Sequence, residues 1–166
     1  MNIQEKSRIE YRSRINRVMD YIDMNLDQPL ELKDIAEVAS FSPYHFHRIF
    51  TFLIGETPID YVQRLRVEKA AWKLQQEPLH PITEIAYSCG FGSVSLFSRT
   101  FKKYFGLTPT QFSKEEKPIY AHHGMLFSKN GQILRKNLIN EVDFDSDLCR
   151  VELLSLIHIS EPTRRS

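Results

Sequence analysis

The chain has 166 residues, 42% of them hydrophobic and 26% charged, with 22 Lys and Arg against 21 Asp and Glu. That balance belongs to ordinary folded material and excludes a collagenous, mucin-like or wholly disordered protein. The longest run without a charged side chain, 85–98, is laced with Ser and Gly and falls short of the ~20 apolar residues of a membrane helix, and no apolar block follows Met1, so neither a membrane span nor a secretory signal is expected.

The first helix is predicted from about Glu10 to Leu26, where Ile15, Val18, Met19, Ile22 and Leu26 recur at the spacing of one buried stripe. Asp27-Gln28-Pro29 breaks it. A shorter helix follows, with Leu32, Ile35, Ala36 and Ala39 on its apolar face. Ser42-Pro43 then offers a side-chain oxygen at an N-cap and a proline at the first helical position, where its missing N–H costs nothing. Phe46, Ile49, Phe50 and Leu53 define that third helix, and Gly55 ends it.

Thr57-Pro58 opens a long helix reaching about Gln76, whose apolar stripe drifts from Ile59 and Val62 to Val67, Ala70, Ala71 and Leu74. A helix that meets one core at its start and another at its end has this pattern. Tyr61 and Trp72 on it are expected to pack between the two halves. Pro78 and Pro81 stop it.

Then the pattern restarts. Ile82, Ile85, Ala86 and Cys89 repeat the spacing of Leu32, Ile35, Ala36 and Ala39, with Gly90-Phe91 where Ser40-Phe41 stood. Residues 34–58 lie over 84–109 with one extra residue in the second turn, sharing Ile-Ala, Phe, Arg-x-Phe and a closing Gly-x-Thr-Pro. Stacked solenoids need three or more repeats, so two copies joined by a helix indicate a duplicated small unit. Each copy is a short helix, a tight turn and a second helix, the helix-turn-helix arrangement.

In such a unit the second helix enters the major groove of DNA and needs one apolar and one contact-capable face. In the first copy Phe46, Ile49, Phe50 and Leu53 face inward and Tyr44, His47, Arg48 and Thr51 outward. In the second, Phe97, Phe101 and Tyr104 face inward and Val94, Ser95, Ser98, Arg99 and Lys102 outward. Arg48 and Arg99 match in the repeat. Arginine takes guanine bidentately, Ser and His bond base edges, and Val meets a thymine methyl. Lys102 and Lys103 suit phosphates.

Charge placement agrees with this assignment even though net charge does not advertise it. Val38 to Gly55 and Ile85 to Lys114 contain no acid, while the second window carries Arg99, Lys102, Lys103 and Lys114. A connecting helix of ~19 residues would be roughly 28 Å long, close to the ~34 Å between successive major grooves on one DNA face.

These residues resemble the AraC/XylS transcriptional regulators over about Ile15 to Phe112. The diagnostic part is Ile85-Ala86-x-x-x-Gly90-Phe91 followed by Phe97-Ser98-Arg99-x-Phe101-Lys102-Lys103-x-x-Gly106-x-Thr108-Pro109, and Leu65-Arg66-Val67-Glu68-Lys69-Ala70 is similar to the family's linker helix. The resemblance implies an all-α fold of about seven helices over residues 8–114, two helix-turn-helix units joined by a linker helix. It also implies base contacts from Tyr44, His47, Arg48, Val94, Ser95, Ser98 and Arg99. Ser42, Thr51, Lys102, Lys103 and Lys114 are the expected phosphate contacts. The family often carries an arginine just after Thr-Pro-x-x-aromatic, whereas here Ser113 follows Phe112 and Lys114 comes one later.

Double-stranded DNA is the expected partner, with RNA polymerase as a protein partner and a cytoplasmic location. No cofactor, metal or catalytic group is expected. His45 and His47 do not share a helix face, Cys89 and Cys149 form no ligand spacing, and no nucleophile-and-base set or phosphate-cradling glycine loop is present. A helical protein-interaction module without sequence-specific DNA binding is the alternative. Residues 115–153 are expected to be a linker and the start of a cut-short second domain, irregular or β-tending, of the gyrase-inhibitor-like effector type. Residues 154–166 resemble adapter read-through and are expected to be non-native, so no effector site is expected.

Overall fold

A computed structural model describes residues 3–77 and 79–114. The expectations for 115–153 and 154–166 lie outside the described residues. Those described form seven helices: α1 (Ile3–Met24), α2 (Leu32–Val38), α3 (Pro43–Ile54), α4 (Pro58–Gln76), α5 (Ile82–Ser88), α6 (Val94–Phe105) and α7 (Pro109–Phe112). The expected all-α architecture is therefore present. Helix α1 starts seven residues before the expected Glu10, because Ile3–Ile9 contain no proline or glycine and continue with good helix formers while lacking the apolar period that would reveal them. It ends at Met24, two residues before the expected Leu26, yet Leu26 is buried, in the turn that follows.

The chain divides into two compact units. In the first, the described residues are 3–21 and 31–58, holding most of α1 with α2 and α3. Its buried side chains are Ile15, Val18 and Met19 of α1, Ile35 and Ala36 of α2 with Ala39, and Phe46, Ile49, Phe50 and Leu53 of α3. These are the residues whose spacing marked the stripes. Each fully buried Ile or Phe withdraws enough apolar surface for roughly 1.5–3 kcal/mol, which offsets the poor intrinsic stability of a seven-residue helix such as α2. Arg14 of α1 grips the turn after α2: it donates to the Ala39 carbonyl at 3.4 Å, lies 5.1 Å over the Phe41 ring and pairs with Glu10.

In the second unit the described residues are 22–30, 59–77 and 79–114. Its core runs from Val67, Ala70, Ala71 and Leu74 of α4 through Ile85, Ala86 and Cys89 to Phe91, Phe97, Phe101, Phe105 and Phe112. The rings form a continuous ladder, from Phe91–Phe97 at 5.1 Å to Phe101–Phe105 at 4.5 Å and Phe105–Phe112 at 5.2 Å, each spacing within the favourable range for aromatic pairs. Cys89 takes the place of Ala39 as a small core residue, and burial pushes its thiol pKa up, keeping it protonated. Trp72 departs from its expected packing role and is 47% exposed, whereas Tyr61 is buried.

The two helix-turn-helix turns are built alike. Phe41 N–H donates to the Ala36 carbonyl and Ser40 N–H to Glu37; Phe91 N–H donates to Ala86 and Gly90 N–H to Tyr87. These are the paired bonds that end a helix through a left-handed residue. That residue is Ser40 at φ 56° in the first copy and Gly90 at φ 85° in the second.

Candidate nucleic-acid interface

The second helix of each unit starts from a serine. Ser42 Oγ accepts from His45 N–H at 3.3 Å, and Ser93 Oγ accepts from Leu96 N–H at 3.2 Å, each satisfying one otherwise orphaned donor at a helix start. Both helices are 12 residues long, and each ends at a left-handed glycine, Gly55 at φ 83° and Gly106 at φ 74°. The interval from Ser42 to Arg48 equals that from Ser93 to Arg99, so the two arginines occupy equivalent positions. Thr57-Pro58 and Thr108-Pro109 likewise start α4 and α7, the latter through a capping box between Thr108 and Gln111. The sequence repeat is thus a structural repeat, cap for cap.

On α6, Ser95, Arg99 and Lys102 are exposed while Val94 and Ser98 are half-buried along the same face. The opposite face, Phe97, Thr100, Phe101 and Phe105, is buried. Thr100 and Phe105 were not foreseen there. Tyr104, expected inward, is half-buried, and its hydroxyl donates to the Asp60 carbonyl at 3.1 Å. On α3, Tyr44 is 68% exposed, His47 and Arg48 are half-buried, and the Arg48 guanidinium lies 5.8 Å from the centre of the Tyr44 ring. That contact, of the kind worth about 0.5–1 kcal/mol at exposed sites, favours one direction for the arginine as it leaves the helix.

Two further expected phosphate contacts, Thr51 and Lys103, have distinctive surroundings. Thr51 occupies the position of Lys102 in the repeat and is half-buried, its short side chain leaving Oγ1 buried with no hydrogen-bond partner among the described residues. Lys103 keeps an exposed stem, yet its Nζ is held at 3.0 Å from Asp60 of α4 and lies 5.2 Å over the Tyr104 ring. Ser42, Lys102 and Lys114 are exposed as expected.

His45 is the residue that periodicity missed. It is 9% exposed and edge-on to Phe41 at 5.2 Å. Burial first, and the Arg48 charge second, hold its pKa below the ordinary 6.5. As pH falls through about 6.5 the unfolded chain takes up this proton before the folded one, so the unfolded state gains stability. Conformational stability is expected to be fully present at neutral pH and to fall as pH is lowered below that value. The second copy places Leu96 here, and His45→Leu is expected to flatten that part of the profile in urea unfolding at pH 7.5 and 5.5. An unchanged slope between the two would remove His45 as its source.

The Helix-turn-helix domain family matches residues 35–115. The chain is 33% identical over 98 residues to the multiple antibiotic resistance protein MarA of Escherichia coli K12, covering 59% of this chain and 76% of MarA. It is 34% identical over 110 residues to the bifunctional transcriptional activator/DNA repair enzyme AdaA of Bacillus subtilis, covering 66% of this chain and 52% of AdaA. The chain spans about half or less of the length of AdaA and two other curated regulators. Among solved structures, a Chromobacterium violaceum transcriptional regulator described as AraC-type is 30% identical, with a TM-score of 0.56 over 61% of this chain and 89% of that one. The DNA-binding domain of the global transcriptional factor AdpA, solved with a target DNA, is 25% identical, with a TM-score of 0.56 over 58% of this chain and 86% of that one. With its duplicated helix-turn-helix, its matched arginines and these relatives, the chain belongs to the AraC-type helix-turn-helix DNA-binding family.

Proposed function

We propose that this chain is a sequence-specific DNA-binding transcriptional regulator, a binding module and not an enzyme, working in the cytoplasm. Helices α3 and α6 are its recognition helices, each placed in a major groove, the two grooves adjacent on one duplex. Tyr44, His47 and Arg48 read bases from α3; Val94, Ser95, Ser98 and Arg99 read them from α6. Ser42, Lys102 and Lys114 bind phosphates, which set register without specifying sequence. RNA polymerase is its protein partner in activating transcription.

The observation that carries this reading is the cap-for-cap equivalence of α3 and α6, which presents Arg48 and Arg99 from equivalent positions on contact-capable faces. A scaffold of packed helices has no need of matched outward arginines. Selection of duplexes from a random DNA pool by the full chain at two salt concentrations tests it. The expected result is a motif of two short half-sites about one helical turn apart, with affinity falling steeply as salt rises. Salt-sensitive binding without a motif would remove sequence reading, and absence of binding would leave the interaction module.

A further inference from the structure

Lys103 stands one residue from Lys102 and one helical turn beyond Arg99, at the edge of the α6 face assigned to DNA. Its charge is nonetheless paired at the surface with an acid of the same chain. Asp60, in the first turn of α4, places Oδ1 at 3.0 Å from Lys103 Nζ, across 43 residues of sequence. The Tyr104 ring lies 5.2 Å from the same ammonium, and the Tyr104 hydroxyl donates to the Asp60 main-chain carbonyl at 3.1 Å. Asp60 thus meets α6 through both its side chain and its backbone. The carboxylate is itself part-exposed, with 41% of its side-chain surface open. It brings a negative charge to the border of a helix that lies in the acid-free stretch 85–114.

We propose that Asp60 is a specificity-determining residue: it withholds Lys103 from the DNA backbone and so limits sequence-independent binding by the second unit. This inference rests on the DNA-binding reading above. Each lysine on a phosphate strengthens binding to every sequence alike, and releases counterions that steepen the salt dependence by about one unit of slope. A recognition helix with two adjacent free lysines would hold random DNA more tightly while discriminating no better. With Lys103 tied to Asp60, Lys102 alone supplies that attraction at this point of α6, and a larger share of the binding depends on Arg99 and its neighbours.

The test is fluorescence anisotropy on the full chain across a salt series, with the pool-selected duplex and a random-sequence duplex as probes. Asp60→Asn keeps the main-chain carbonyl used by Tyr104 and removes the charge. It is expected to tighten random-duplex binding about threefold to tenfold at low salt, steepen the slope by about one, and lower the ratio of selected to random affinity. Lys103→Met is expected to leave the slope unchanged, in contrast to Lys102→Met, which should reduce it by about one. In the double variant Asp60→Asn with Lys103→Met the gain should vanish. A slope reduced by Lys103→Met alone overturns the proposal, since Lys103 would already be on a phosphate, and this arm stands even if Asp60→Asn does not fold. An unchanged slope for a folded Asp60→Asn overturns it equally. Failure of the unaltered chain to bind either duplex would instead overturn the DNA-binding reading on which the proposal rests.

Discussion

Arg99→Ala is expected to weaken binding to the selected duplex by about 1–3 kcal/mol, roughly 5-fold to 150-fold, and to relax preference at a single base pair. Arg99 is exposed on the contact face of a helix whose other face is locked by the Phe97, Phe101 and Phe105 ladder, so truncating it removes a contact without disturbing the fold. Lys102→Ala should weaken all sequences similarly and reduce the salt slope by about one. Arg99→Lys separates charge from geometry: a lysine keeps the positive charge but cannot make the planar two-pronged bond to guanine, so affinity for random DNA should persist while discrimination falls. The comparison is a binding series over single-base variants of the selected site. Equal losses on every variant for Arg99→Ala would defeat its assignment as a base reader. Arg48 differs in one respect. Its stacking on Tyr44 limits the orientations it must give up on binding, so Tyr44→Ala should weaken reading at the Arg48 base pair more than Tyr44→Phe does.

Much of this was legible in the sequence because the signals were local. The 3.6-residue period located most of the buried residues of α1 to α6, though not His45, Thr100 or Phe105. Ser42-Pro43 and the closing glycines marked the recognition helices, and self-alignment located the second copy. Contacts between distant residues were not legible. Arg14 at Ala39, Arg66 at Leu26 and Asp60 at Lys103 join residues 25, 40 and 43 positions apart, and a charged side chain on a helix has no periodicity that names its partner. The charge of Lys103 suggests a phosphate contact, while its pairing with Asp60 has no signal in the sequence. Helical spacing places Thr51 outward and the residue is half-buried, but spacing does not tell that its Oγ1 is covered. His45 shows the same weakness in reverse: its residue type argued for the surface, while its position beside Phe46 placed it against Phe41.

The equivalent turn residues Ser40 and Gly90 are expected to respond to substitution in opposite directions. Both are left-handed, a conformation that costs a residue with a Cβ about 1–2 kcal/mol. At Gly90 a second constraint is added within the same unit. A Cβ there would lie 2.1 Å from the Leu26 carbonyl oxygen and 2.8 Å from Arg66 Nε. Those two atoms are themselves bonded at 2.8 Å, and the same guanidinium also donates to the Gln28 carbonyl at 2.6 Å, so one arginine closes the chain after α1 around the turn. Gly90→Ala must push the backbone oxygen away or break that charge-assisted bond, and together with the conformational term the loss should be about 3–5 kcal/mol, a large fraction of a small domain's stability. Gly106→Ala is the control. It has the same handedness at φ 74° but open space around it, so only the conformational cost of about 1–2 kcal/mol applies. Ser40→Gly should stabilise by about 0.5–1 kcal/mol, the relief of left-handed strain less the added freedom of the unfolded chain. Urea unfolding of the three variants measures all three values. A Gly90→Ala loss no greater than that of Gly106→Ala would mean that the Leu26 and Arg66 contacts yield freely, and that the turn is not held by them.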